Sequence, residues 1–224
     1  MSGASRRGGP PPSSRDPARR AALAACNARI RACRLCHEAG YLDGPASTPA
    51  VFDAEADAPV PRILLIGQAP GLKGNQISRP FEGPSGDRLR TWFEAGGIDR
   101  ADFWRKIHFT AATRCYPGRL AGAKGDRLPS PAERSLCRPW LDEVRGLVDP
   151  EVVLLLGLLA IRTVLGPVSS LASTVGTGRV IDGVRYLPLP HPSGVSRWLN
   201  DAANVEAVAR AMIQLRGWVD ELGI

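Results

Sequence analysis

The features that most constrain the fold of this chain are two apolar runs, "RILLIG" and "EVVLLLG", each an unbroken stretch of Ile, Leu and Val that stops at glycine. A strand with one wet face alternates polar and apolar residues. An uninterrupted run predicts a strand covered on both faces, as in parallel sheets flanked by helices. The intervening segments fit that plan. "GDRLRTWFEAGG" predicts a short helix, "KIHFTAATR" a strand and "PAERSLCRPWLDEVRGLV" a helix opening at proline. "LAIRTVLG" follows as a helix, "VRYLPLP" as a strand and "DAANVEAVARAMIQLRGWVDELG" as the last helix. Strands interleaved with helices imply a parallel sheet with helices on both faces. Ligands of such sheets sit beyond the carboxyl ends of the strands, so the loops after Ile66, Arg114 and Pro190 are the candidate site.

The ends and the charge set further bounds. Residues 1–16, rich in Gly, Pro, Ser and Arg, lack the apolar surface to offset ordering entropy and are expected to be a disordered basic tail, with residues 17–224 as one domain. From Pro17 a helical pattern runs through "ARRAALAACNARIRACRLC", with Cys26 on its core face; residues 38–61 are loop-rich. The formal net charge is +7, with lysine only at Lys73, Lys106 and Lys124. Arginine thus supplies nearly all the positive charge, and its fork suits phosphate. No apolar run is long enough to span a membrane and no signal-peptide core opens the chain, so a cytoplasmic protein is expected; a bacterial source and a monomeric state are further expectations. An odd number of cysteines argues against a disulfide framework and for thiolate ligation of a metal.

Three motifs carry chemistry. In "GQAPGLKGNQISRPFEGPSG" (67–86) the glycines allow backbone to approach a ligand closely, Pro70 stiffens the turn, and Phe81 is the single aromatic. Beyond "VRYLPLP", His191 stands between two prolines, its imidazole presented by a rigid backbone. Cys33 and Cys36 form a Cys-x-x-Cys pair. Four thiolates suit either an iron-sulfur cluster or zinc, and spacing alone does not separate them.

The ordered set "GQAPG", "RPFEG", "TAATRC", "PSPAERSLCRPWL" and "HPS" resembles the iron-sulfur branches of the uracil-DNA glycosylase superfamily, families 4 and 5, over roughly residues 30–220. The resemblance implies a three-layer α/β/α sandwich around a central, mostly parallel four-stranded sheet. It implies a structural 4Fe-4S cluster on Cys33, Cys36, Cys115 and Cys137, with His37 a lesser ligand candidate. The implied activity is excision of uracil from DNA, leaving an abasic site. An extruded base would stack on Phe81 and meet His191 as a donor to its carbonyl oxygen, in a pocket lined by Gly67, Gln68, Ala69, Pro70, Gly71 and Ala111. Ser193, Arg197 and Trp198 fall in the loop that enters the DNA, where Arg197 or Trp198 would be the wedge. Arg114 and Arg138, beside cluster cysteines, are phosphate contacts or surface charge.

The chain also departs from both branches. Gln68 stands where family 4 has glutamate, Ala111 where it has a uracil-reading asparagine, and Pro84 where family 5 has a catalytic aspartate. A pocket that demands fewer hydrogen bonds discriminates less, so a broad range including hypoxanthine and xanthine is expected. Catalysis would rest on His191 and on Gln68 positioning water, with Asp126, Asp87 or Glu82 as the carboxylate. A protein of the same fold that binds uracil or abasic DNA without turnover, and a zinc or redox iron-sulfur protein, are the alternatives.

Overall fold

The computed structural model describes residues 16–42, 48–53, 58–77, 79–122, 125–194 and 197–224. Residues 1–15 of the expected tail, Lys124, and Val195 and Ser196 of the wedge loop lie outside them. Four strands run parallel: β1 (Ile63–Gly67), β2 (Ile107–Ala111), β3 (Val152–Leu156) and β5 (Val184–Leu189). A short β4 (Arg179–Ile181) pairs antiparallel with β5, giving the order β2-β1-β3-β5-β4. The sheet therefore has one strand more than the four expected. All three residues of β4 are exposed, so the strand carries no apolar pattern in the sequence. The signal for it was present: Asp182 (φ 49°) and Gly183 (φ 79°) both take positive φ, the Asp-Gly turn that hairpins favour.

Alternate side chains of β1 enter two cores. Ile63 and Leu65 face a cluster with Leu89, Phe93, Phe103, Ala211 and Leu215, under α4 (Pro84–Ala95) and α8 (Ala202–Leu222). Leu64 and Ile66 face the other, with Cys26, Ile30, Leu141, Val144 and Ile161, under α1 (Pro17–Ala32), α6 (Pro131–Val148) and α7 (Leu158–Leu165). Both faces are covered, as the unbroken apolar runs require, and the result is an α/β/α sandwich. Cys26 is fully buried in the second core.

The bounds of α6 follow from its first turn. Ser130 accepts from the Glu133 amide (3.2 Å), the Glu133 carboxylate accepts from the Ser130 amide (2.7 Å), and proline occupies the opening position where no amide is needed. Glu133 also takes a double hydrogen bond from Arg127 (2.7 Å each), which ties the loop before α6 to the helix. Among the described residues the shorter α-helices are α2 (Leu35–Glu38), α3 (Leu72–Ile77) and α5 (Phe103–Lys106), with 3-10 turns at Arg100–Asp102 and Arg197–Asn200. Among the described residues no helix is long and apolar enough to cross a membrane.

Candidate active site

The ends of the parallel strands bring the three loops together. Gly67 pairs with Ala111 in register, and the pairing runs on past the strands: the Ala112 amide donates to the Gly67 carbonyl (2.9 Å) and the Thr113 amide to that of Gln68 (3.2 Å). Across β3, the Gly157 amide donates to the Leu189 carbonyl (2.8 Å), which sets the exit direction of the chain toward His191. Between them opens a cavity of about 620 Å³, lined by Gly67 to Gly74, Phe81, Ala111, Asp126, His191 and Ser193. That volume is in the range of small-molecule sites.

His191 lines this cavity and stays exposed. Loss of solvent pushes its imidazole pKa below the usual 6.5, against an opposing pull from the Asp126 carboxylate, so the ring is neutral at pH 7. The Ser193 amide donates to Nδ1 (3.2 Å). Nδ1 is thereby the acceptor, and the proton sits on Nε2, free to donate to a ligand in the cavity.

Phe81 lines the same cavity. Its φ of 59° lies in the left-handed region, which a bulky side chain rarely adopts. Close packing holds it there. A Cβ on Gly86 would lie 1.6 Å from the Phe81 carbonyl oxygen, so only glycine permits the approach of α4. Arg90 donates to the same carbonyl (3.3 Å), and Trp104 Nε1 to that of Pro80 (3.3 Å). The Arg79 guanidinium stacks 4.1 Å from the Trp104 ring centre, and the Phe81 ring rests tilted against Phe109 at 5.8 Å. Strain held by such a frame is a mark of functional positions.

The carboxylates sort by position. Asp126 lines the cavity, accepts from Tyr116 Oη (3.0 Å), and lies 3.5 Å from the Arg119 guanidinium. Glu82 also lines it, paired with Arg79 at 3.2 Å. Asp87 pairs with Arg90 (2.8 Å) on α4 and is not part of the lining. In the loop after His191, Arg197 is exposed, whereas Trp198 is half-buried against the first core and its carbonyl accepts from Asn204 (2.9 Å).

Cys33, Cys36, Cys115 and Cys137 line one small cavity beside α2, all four as free thiols, with His37 at its edge. Burial, then the neighbouring cysteines, pushes the Cys115 thiol up to about 12; burial, then Cys137, pushes Cys36 up to about 11. Such thiols stay protonated unless a cation draws them into thiolate form. Among the described residues no three His, Cys, Asp or Glu side chains form a group able to hold a metal ion as they stand. The donor set itself, four thiols converging from three chain segments, fits an iron-sulfur core. Arg138 is exposed and paired with Asp142 (2.7 Å), but Arg114 is not surface charge: it is 4% exposed and lies between the cysteine cavity and the larger one.

Residues 55–216 match the uracil DNA glycosylase superfamily. A Mycobacterium tuberculosis protein named type-5 uracil-DNA glycosylase is 34% identical over 152 residues, 59% of this chain and 54% of that protein. A Thermotoga maritima protein named type-4 uracil-DNA glycosylase is 27% identical over 139 residues, 61% of this chain and 67% of the relative. A type-5 protein from Pyrobaculum aerophilum is 29% identical over 145 residues, 59% and 61% of the two chains. The chain spans about half the length of the mycobacterial relatives it matches. Likeness to both types agrees with the mixture of motifs, and with a family match running from the loop before β1 into α8, the chain belongs to the uracil DNA glycosylase superfamily.

Proposed function

We propose that this protein is a DNA repair glycosylase that extrudes uracil from DNA and hydrolyses its N-glycosidic bond, leaving an abasic site. The observation that carries the reading is that Phe81 and His191 line one cavity at the strand ends, with the Ser193 amide on Nδ1 leaving the imidazole proton on Nε2. The base stacks on Phe81, which aromatic platforms reward by about 1–3 kcal/mol. As the C1′–N bond breaks, its electron pair leaves with the base, and the Nε2 proton of His191 stabilises the negative charge that gathers on the carbonyl oxygen. Water held by Gln68 adds to C1′, and its proton passes to the Asp126 carboxylate, which lines the same cavity. Asp126 thus replaces the carboxylates missing at Gln68 and Pro84.

Small Ala111 beside Gln68 leaves the base edge without a fixed amide reader, so the range extends to hypoxanthine and xanthine. Cys33, Cys36, Cys115 and Cys137 would hold a 4Fe-4S cluster, which supplies a structural tie between α2, the loop after β2 and α6. Arg197, Ser193 and the backbone amides of residues 67–71 contact the DNA backbone. A panel of oligonucleotides carrying uracil, hypoxanthine or xanthine, scored for abasic sites, tests the reading. Cleavage of all three is expected; a protein that binds uracil or abasic DNA and cleaves none would be a binding module instead.

A further inference from the structure

Among the described residues Arg114 and Glu133 are the buried charged side chains outside the proposed reaction, and Arg114 lacks the ion pair that Glu133 has. It lies three residues past β2, 4% exposed, with Nε and Nη2 both enclosed and without a hydrogen-bond partner. Among the described residues no carboxylate pairs with it: Glu133, whose charge reaches the neighbouring Cys36, is already bound through both oxygens by Arg127. Buried His108, on the other side, is held neutral first by burial and then by the Arg114 charge itself. An isolated buried cation is expensive, and proteins keep one only where an anion meets it.

The groups that do face Arg114 are thiols. Arg114 lines the cavity of Cys33, Cys36, Cys115 and Cys137, its amide donates to Cys137 Sγ (3.3 Å), and the thiols its charge reaches are Cys137 and the core Cys26. Four thiolates outweigh the positive charge of an oxidised 4Fe-4S core, so the loaded assembly is a net anion. We propose that Arg114 is the internal counter-cation of the cysteine-held cluster, standing between it and the base cavity. The inference rests on the cluster assigned above. It explains why a guanidinium is stranded inside the protein and why the four thiols and the base cavity share a wall.

The test compares wild type with Arg114→Met, which keeps bulk and removes charge, and with Arg114→Lys, which keeps charge and loses the fork. Iron and sulfide are first quantified in wild type; if they are absent, the cluster reading fails by itself. In loaded protein, Arg114→Met is expected to move the cluster's reduction potential to more negative values and to speed iron loss to a chelator by about tenfold or more, while Arg114→Lys stays near wild type. In stripped protein the order reverses, and Arg114→Met melts above wild type because an uncompensated charge has gone. If Arg114→Met assembles no cluster while Arg114→Lys does, the charge is required and the proposal stands. Loaded wild type and Arg114→Met with the same potential and chelator lifetime would overturn it, as would Lys and Met variants equally unable to assemble the cluster.

Discussion

Replacing Gly86 by alanine attacks the site through its frame rather than its chemistry. The added Cβ would lie 1.6 Å from the Phe81 carbonyl, which must retreat by about 1.8 Å to reach ordinary contact. That shift breaks the Arg90 hydrogen bond at 3.3 Å and releases Phe81 from its left-handed backbone. A misplacement of about 1 Å in a positioning group costs about 10²-fold in rate, and forcing a methyl into packed structure costs about 1–3 kcal/mol. Single-turnover excision from a uracil oligonucleotide, measured with thermal unfolding, should therefore show both losses. Gly146→Ala is the control: its site on α6 is exposed with nothing within 4 Å of an added Cβ, and it should leave the rate intact and gain about 0.5–1 kcal/mol of stability. A Gly86→Ala protein with wild-type rate and wild-type melting would refute the argument that this glycine holds Phe81.

The His191 pKa is lowered from 6.5, so any fall in excision rate from protonation of this ring should come on the acid side of pH 6.5. Because that pKa is lowered by folding, the stability tied to neutral His191 is complete above pH 6.5 and drains away as pH falls below it, and His191→Ala should flatten that part of the stability profile. Glu133→Gln leaves Arg127 without its charge partner next to the α6 cap and should destabilise the fold by about 3 kcal/mol in a denaturant titration. Arg197→Ala should reduce the slope of log affinity against log salt by about one on duplex DNA, whereas Trp198→Ala, taken from a ring packed on the core, should lower the melting temperature instead.

The central sheet was legible because β1 and β3 are apolar on both faces, a pattern that solvent-facing strands cannot carry, and α6 because its capping residues are written in the chain. β4 and α3 were harder to read, the one fully exposed and the other a six-residue piece containing Gly74 and Asn75. The segment "KIHFTAATR" reads as one strand, yet regular pairing stops at Ala111 and the following residues turn to form the wall shared by the two cavities. His191 and Phe81 were visible because proline precedes each and marks a stiff loop. The placement of Asp126 in the cavity depends on the return of the chain after Cys115, to which its own sequence neighbours give no clue. Arg114 reads as surface charge in any sequence, since only the folded chain reveals that it is enclosed.

The most direct test is single-turnover excision of uracil by wild type and His191→Ala, with binding to abasic DNA measured alongside. The account predicts abasic-site formation by wild type, a rate lower by about 10²–10³ in the variant, and little change in product binding. Wild-type protein that holds uracil-containing DNA and leaves it intact, or a variant that cleaves as fast as wild type, would contradict it.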